Sequence, residues 1–313
     1  MARSGTSLLA KLLLDCGLYF GPLHKFVKPH AVDNPDGYWE KVGIVRLNRA
    51  ILATLGGSDA APPPLSPGWS HDPRLEDLRR KAGALVSEFD GAPYWGWKDP
   101  QTMLTLELWQ QVVPDARYAF IFRNPLEVAM SFVRRNDYRL ANEEFFDLHR
   151  ALMLWRHHHD LVLALLPPER TVFVSYRKLM SDSASELPRI VQATGLPATE
   201  EQVAAARQSV KPELYRNRFS ASLVRELSAA EPVRELYERL THLAGAADES
   251  NPNSEEREAM ARILFEEAYR DLSVADRELA SWRTRAFQLH AYAKRLEAQL
   301  GVGPGEGGGT VPK

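Results

Sequence analysis

Three short apolar runs set the limits on what this chain can become. They are Tyr94-Trp-Gly-Trp97, Ala116–Phe122 (Ala-Arg-Tyr-Ala-Phe-Ile-Phe) and Thr171-Val-Phe-Val-Ser175, and each lies between segments with helical apolar spacing. Runs this short, rich in aromatic and β-branched residues, read as strands buried on both faces. Strands separated by helices need crossover connections, which makes the sheet parallel and covers both of its faces. The expected fold is therefore α/β, three layers with a central parallel sheet between helices.

Helical segments fit around these strands. Leu8, Leu9, Leu12 and Leu13 share one face of a helix over 7–16, and Gly17 stands where a left-handed C-terminal cap belongs. Lys11 and Asp15 interrupt this apolar stretch and no small-residue cleavage site follows, so it does not read as a signal peptide. Residues 18–41 form an irregular loop punctuated by Gly21-Pro22, Lys28-Pro29, Asn34-Pro35 and Asp36-Gly37. Helices are expected over 42–55, 73–89, 102–112, 125–134, 143–166, 183–194 and 200–208, with 56–72 a Gly/Pro/Ser-rich surface loop.

The pattern changes near Ser254. Ala268, Leu272, Ala275, Leu279, Trp282, Ala286, Leu289, Ala293, Leu296 and Leu300 alternate in steps of four and three, a long C-terminal helix. Two readings stand side by side: a coiled-coil seam that joins copies into a homo-oligomer, and an amphipathic helix folded back on its own domain. The expected organisation is an α/β domain over 1–250, the helix over 254–300 and a disordered Gly-rich tail over 301–313.

Composition excludes several functions. The chain has 313 residues, 44% hydrophobic and 26% charged, ample for a packed core. Its formal net charge of -2 offers no basic excess for holding a nucleic-acid backbone. No apolar stretch approaches the ~18 residues of a membrane span. Cys16 is the single cysteine, so neither an intrachain disulfide nor a cysteine-based zinc site can form, which fits a cytoplasmic protein. His157-His158-His159 does not suggest a metal centre, because consecutive helical side chains diverge by about 100°. Trp155 and Leu152 beside them are expected in the core.

Three segments carry chemistry. Arg3-Ser4-Gly5-Thr6-Ser7 opens directly onto a helix, and its amides, hydroxyls and guanidinium suit a phosphate or sulfate. An ordinary N-cap by Ser4 or Thr6 explains the same residues equally well. The loop lacks the lysine of a Walker A motif, and no magnesium aspartate follows an apolar strand, which argues against a nucleoside-triphosphate kinase. Arg123 ends the second strand, Pro125 starts a helix, and Ser131 lies two turns along it. An arginine at such a strand end can hold a phosphate bidentately. Lys98-Asp99-Pro100 emerges from the first strand.

In this order, these segments resemble the PAPS-dependent sulfotransferases, in particular the bacterial P-loop-like branch related to tyrosylprotein and heparan sulfotransferases. The resemblance spans about residues 1–220 and adds a fourth segment, Asn34-Pro35-Asp36-Gly37-Tyr38-Trp39-Glu40, matching the family's Asn-Pro-x-Gly-Tyr-x-Glu. It implies a P-loop-like sheet and 3′-phosphoadenosine 5′-phosphosulfate (PAPS) as co-substrate. It implies that Arg3, Ser4, Gly5, Thr6 and Ser7 hold the 5′-phosphosulfate, and that Arg123 and Ser131 hold the 3′-phosphate. The family's loop follows a core strand, whereas two residues precede Arg3 here. Either the start lies upstream or the sheet lacks that strand.

Sulfuryl transfer to a hydroxyl or amine depends on positioning and charge stabilisation. Arg3 and Lys98 are the expected cations for the sulfuryl and bridging oxygens, in an in-line transfer. No metal is required if they supply that charge. Glu40 is the expected general base by resemblance, with His24 and His30 as rivals because imidazole titrates near neutrality, at about 6.5. Arg216 and Arg218 fall where relatives close a late segment over the nucleotide; surface charge explains them equally. The acceptor, a small molecule, glycan or lipid, is expected to meet the 18–41 loop, with its Tyr19, Phe20, Phe26, Tyr38 and Trp39, and the helices near 56–90 and 143–165. The non-enzymatic alternative is an inactive nucleotide-binding or coiled-coil scaffold.

Overall fold

The computed structural model describes residues 1–30, 34, 37–135, 147–212, 215, 218–220, 223–224, 231–246, 253–262, 264, 279, 282, 284 and 286–288. Two strands, β1 (Tyr118–Phe122) and β2 (Thr171–Ser175), pair in parallel with Tyr118 opposite Thr171 and Phe122 opposite Ser175. Parallel neighbours require a crossover, which here contains helices α5 (Pro125–Arg135) and α6 (Leu148–Leu165). The other helices are α1 (Thr6–Asp15), α2 (Val42–Thr54), α3 (Glu76–Ser87), α4 (Thr102–Val112), α7 (Tyr176–Ser181), α8 (Ser183–Thr194), α9 (Glu200–Arg207) and α10 (Glu231–Leu243).

The expected α/β class holds, but the sheet is smaller than predicted: two strands among the described residues. Tyr94–Trp97 is not a third strand. Trp95 makes an isolated parallel bridge with Tyr19, through Tyr19 N to Tyr94 O and Gly96 N to Tyr19 O. The reason is visible in the packing. Phe89, Trp95, Trp97 and Trp109 form a run of rings, with Phe89 and Trp95 stacked at 4.8 Å and Trp97 tilted on Trp109 at 4.7 Å. Aromatic packing against helices, rather than ladder hydrogen bonds, uses this apolar run. The short α7 directly after β2 and α10 are helices the sequence reading did not anticipate.

The core has two buried clusters. One joins Leu9, Leu12 and Leu13 of α1 to Ile121 of β1, Val172 and Val174 of β2, and Leu187 and Ile190 of α8. It is the leucine face read from the sequence, and it seats α1 against the sheet. The second joins Ile44, Leu47 and Ile51 of α2 with Leu75, Ala82, Leu108 and Trp109. Leu152 and Trp155 are buried as expected. His158 and His159 are buried too, each Nδ1 donating to the carbonyl one turn back, of Leu154 and Trp155. His159 also stacks on Trp155 at 4.1 Å. Burial lowers both imidazoles, His158 to about 3, so they are neutral packing residues.

The chain divides into two units, Met1–Asn253 and Ser254–Lys313. Most of the predicted C-terminal seam and the Gly-rich tail lie outside the described residues. Leu279, Trp282 and Ala286 are the described seam positions, and all three are exposed. Among the described residues no helix is long and apolar enough to cross a membrane.

Candidate active site

The register of β1 against β2 builds one half of the site. Because Phe122 lies opposite Ser175, the residues that follow, Arg123 and Tyr176, leave the same sheet edge together. The Arg123 guanidinium lies over the Tyr176 ring at 4.7 Å and over the Tyr215 ring at 5.2 Å. Arg123 Nε donates to Glu127 Oε2 at 2.6 Å, one turn into α5. Asn124 starts that helix by accepting from Leu126 N at 2.9 Å.

The Arg3–Ser7 loop reaches this edge through Gly5. A β-carbon at Gly5 would lie 2.2 Å from Tyr176 Cδ2, and Gly5 has φ +87°, so both space and backbone demand glycine. Arg3 is also left-handed, at φ 66°. That turn carries its side chain to α5, where Arg3 Nε donates to Ser131 Oγ at 2.7 Å. Thus Arg3 and Ser131, 128 residues apart, meet. Among the described residues no side chain caps the first turn of α1, and the buried Ser4 hydroxyl finds no hydrogen-bond partner there. The predicted capping by Ser4 or Thr6 therefore does not occur. An uncapped helix start is an electropositive cradle.

The other half centres on Lys98. Its Nζ donates to Glu40 Oε1 at 2.6 Å, to the Tyr38 carbonyl at 2.9 Å and to Ser7 Oγ at 3.2 Å. Asn34 Nδ2 also donates to Ser7 Oγ, at 3.1 Å. Trp39 sits at φ 57°, a left-handed turn that lets the Tyr38 carbonyl and the Glu40 carboxylate both face the ammonium. Burial pushes the Lys98 ammonium below the ordinary lysine range, and the Glu40 carboxylate opposes that shift. His24 and His30 lie exposed on the same loop, His30 paired by backbone bonds with Asn34.

Beneath Lys98 is a buried network that sequence reasoning missed. Asn48 donates to Asp99 Oδ2 at 2.8 Å, and its own oxygen accepts from Thr105 Oγ1 at 2.7 Å and Trp109 Nε1 at 2.8 Å. Asp99 also accepts from the Gln101 amide at 3.0 Å. Burial, reinforced by the Glu40 charge, lifts Asp99 to about 6. Nothing in the sequence marks Asn48. Glu127 had a weak signal, an acid one helical turn after an arginine. Arg218 is exposed and folds back on its own segment, its Nε donating to the Tyr215 carbonyl at 3.3 Å and its Cζ 5.0 Å from the Tyr215 ring. Arg216 lies outside the described residues. Among them no group of three or more His, Cys, Asp or Glu could hold a metal ion.

The structure is similar to a sulfotransferase domain from the curacin biosynthetic pathway, with 17% sequence identity and a TM-score of 0.42 over 79% of this chain and 95% of that chain. No curated protein matches the sequence. Residues 1–201 match the model of the sulfotransferase family, and on that match the chain belongs to the sulfotransferase family.

Proposed function

We propose that the chain moves a sulfuryl group from PAPS to a hydroxyl or amine of its acceptor, with Glu40 as general base. The observation that carries this reading is Lys98 Nζ, hydrogen-bonded at once to Glu40 and to Ser7 at the uncapped start of α1. A cation, a carboxylate and an anion cradle within one hydrogen-bonded cluster are what the reaction needs from a protein.

The residues present fit the donor. Among the described residues the cradle has amides without a side-chain cap, a buried Ser4 hydroxyl without a partner and a glycine that keeps the backbone clear of a β-carbon. PAPS, when bound, supplies the electrophilic sulfur and a phosphate leaving group. Amides of Gly5, Thr6 and Ser7 would hold its 5′-phosphate, and Arg123 with Ser131 its 3′-phosphate. Arg3 and Lys98 would neutralise charge on the sulfuryl and bridging oxygens. Glu40 has Oε1 on Lys98, and among the described residues nothing donates to its other oxygen, so it can take the acceptor proton while Lys98 keeps its carboxylate oriented.

Sulfur-labelled PAPS with a panel of phenols, sugars and glycolipids tests the transfer. Calorimetric titration with 3′-phosphoadenosine 5′-phosphate (PAP) tests the donor site separately. Saturable PAP binding without magnesium is expected. A folded protein that binds neither PAP nor ATP with magnesium overturns the reading and favours a scaffold.

A further inference from the structure

Glu127 is one of the most deeply buried charged residues of the described chain, with 0% of its surface exposed. Burying a carboxylate is costly unless its oxygens are hydrogen-bonded and its charge is paired. Here both conditions hold. Oε2 accepts from Arg123 Nε at 2.6 Å, and Oε1 accepts from the Tyr215 hydroxyl at 2.8 Å and the Phe219 amide at 3.0 Å. The Phe219 carbonyl is held as well, by Asn124 Nδ2 at 3.0 Å. One carboxylate thus joins the start of α5 to residues about 90 positions later in the chain.

We infer that Glu127 is a positioning residue, fixing the Arg123 guanidinium for donor binding and pinning Tyr215 and Phe219 beside it, so that donor binding and docking of those residues support each other. The inference rests on the proposed role of Arg123 toward the donor phosphate. A guanidinium is planar, and one hydrogen bond at Nε together with rings at 4.7 and 5.2 Å defines its plane. One of those rings, Tyr215, is itself held by Glu127. The carboxylate therefore holds the guanidinium twice, directly at Nε and indirectly through the ring. A merely structural acid would stabilise the fold without setting donor affinity.

The test uses the full chain with Arg123→Ala, Glu127→Gln and Tyr215→Phe, each checked by thermal unfolding. Glu127→Gln keeps the shape and an acceptor for Tyr215 and Phe219, but it loses the charge-assisted bond to Arg123. It should weaken PAP binding roughly tenfold or more, with a smaller change in kcat at saturating PAPS. Tyr215→Phe keeps the ring and loses one hydrogen bond, so PAP binding should weaken several-fold. PAP should slow tryptic cleavage after Arg218 in the unsubstituted protein, and this protection should shrink in both variants. If Glu127→Gln does not fold, Tyr215→Phe decides by the same two readouts. Wild-type PAP affinity and wild-type protection in the folded variants, with Arg123→Ala still losing PAP, would overturn the inference alone. Undiminished PAP binding by folded Arg123→Ala would instead overturn the donor-site reading.

Discussion

Two ion pairs with the same 2.6 Å separation flank the Arg3–Ser7 loop, and their surroundings differ. Arg123 and Glu127 lie one helical turn apart, and the carboxylate is fully buried with both oxygens accepting from the protein. Lys98 and Glu40 are 58 residues apart, and each retains some exposure, 11% and 14%. Burial raises Glu127 above the ordinary carboxylate range while Arg123 opposes the shift. Burial and the Glu127 carboxylate push the Tyr215 phenol upward, so it stays a donor. A carboxylate whose oxygens are already engaged can only hold its neighbours. A carboxylate with one oxygen on a compact, multiply donating ammonium can be oriented and still accept a proton. On this account Glu127 positions and Glu40 reacts.

The largest effect should break the Lys98 side. Glu40→Gln preserves shape and removes the basic oxygen, and a lost general base costs ~10²–10⁴ in rate. Steady-state kinetics should show kcat falling in that range while PAP affinity, measured by calorimetry, stays near wild type. If turnover is retained, His24→Ala and His30→Ala are the next variants to assay.

The Arg123 side should show a smaller effect, in binding. Arg123→Ala removes a polar anchor from the sheet edge, and Ser131→Ala removes one from α5. A charge-assisted contact is worth about 1.5–3 kcal/mol, so PAP affinity should fall accordingly in Arg123→Ala and by less in Ser131→Ala. Gly5→Ala then probes the loop between the two pairs. A methyl 2.2 Å from Tyr176 overpacks the strand end and should cost roughly 1–3 kcal/mol in urea unfolding, together with PAP affinity.

A last effect, on stability rather than on catalysis or donor binding, concerns pH. Asp99 ordinarily titrates near 3.8 and stands at about 6 in the folded chain. Between those values the folded state keeps a proton that the unfolded state has released. Stability from this group therefore falls as pH rises through that window, by at most about 1.4 kcal/mol per pH unit. Asp99→Asn cannot titrate, so urea unfolding across pH 4 to 7 should lose that component of its slope.

Much of this arrangement was legible from residue order. Leu8, Leu9, Leu12 and Leu13 announce α1 because one face must meet the sheet. The Arg123-Asn-Pro125 junction announces a strand end and a helix start because proline fits the first helical turn. Family resemblance gave Arg3, Ser131, Lys98 and Glu40 their expected roles, but not the contacts of Arg3 with Ser131 or of Lys98 with Glu40. Periodicity carries no information about contacts 128 or 58 residues apart. Tyr94–Trp97 misled because aromatic residues suit strands and helix-packed rings alike. Asn48 and Tyr215 were invisible, since their roles come from partners brought together only by the fold.

The most direct test sets the two carboxylates side by side. kcat at saturating PAPS and PAP affinity are measured for Glu40→Gln and Glu127→Gln under one set of conditions. The account predicts a crossed pattern: Glu40→Gln loses kcat and keeps PAP affinity, whereas Glu127→Gln loses PAP affinity with the smaller change in kcat. The same pattern in both variants, or near-normal turnover by Glu40→Gln, contradicts it.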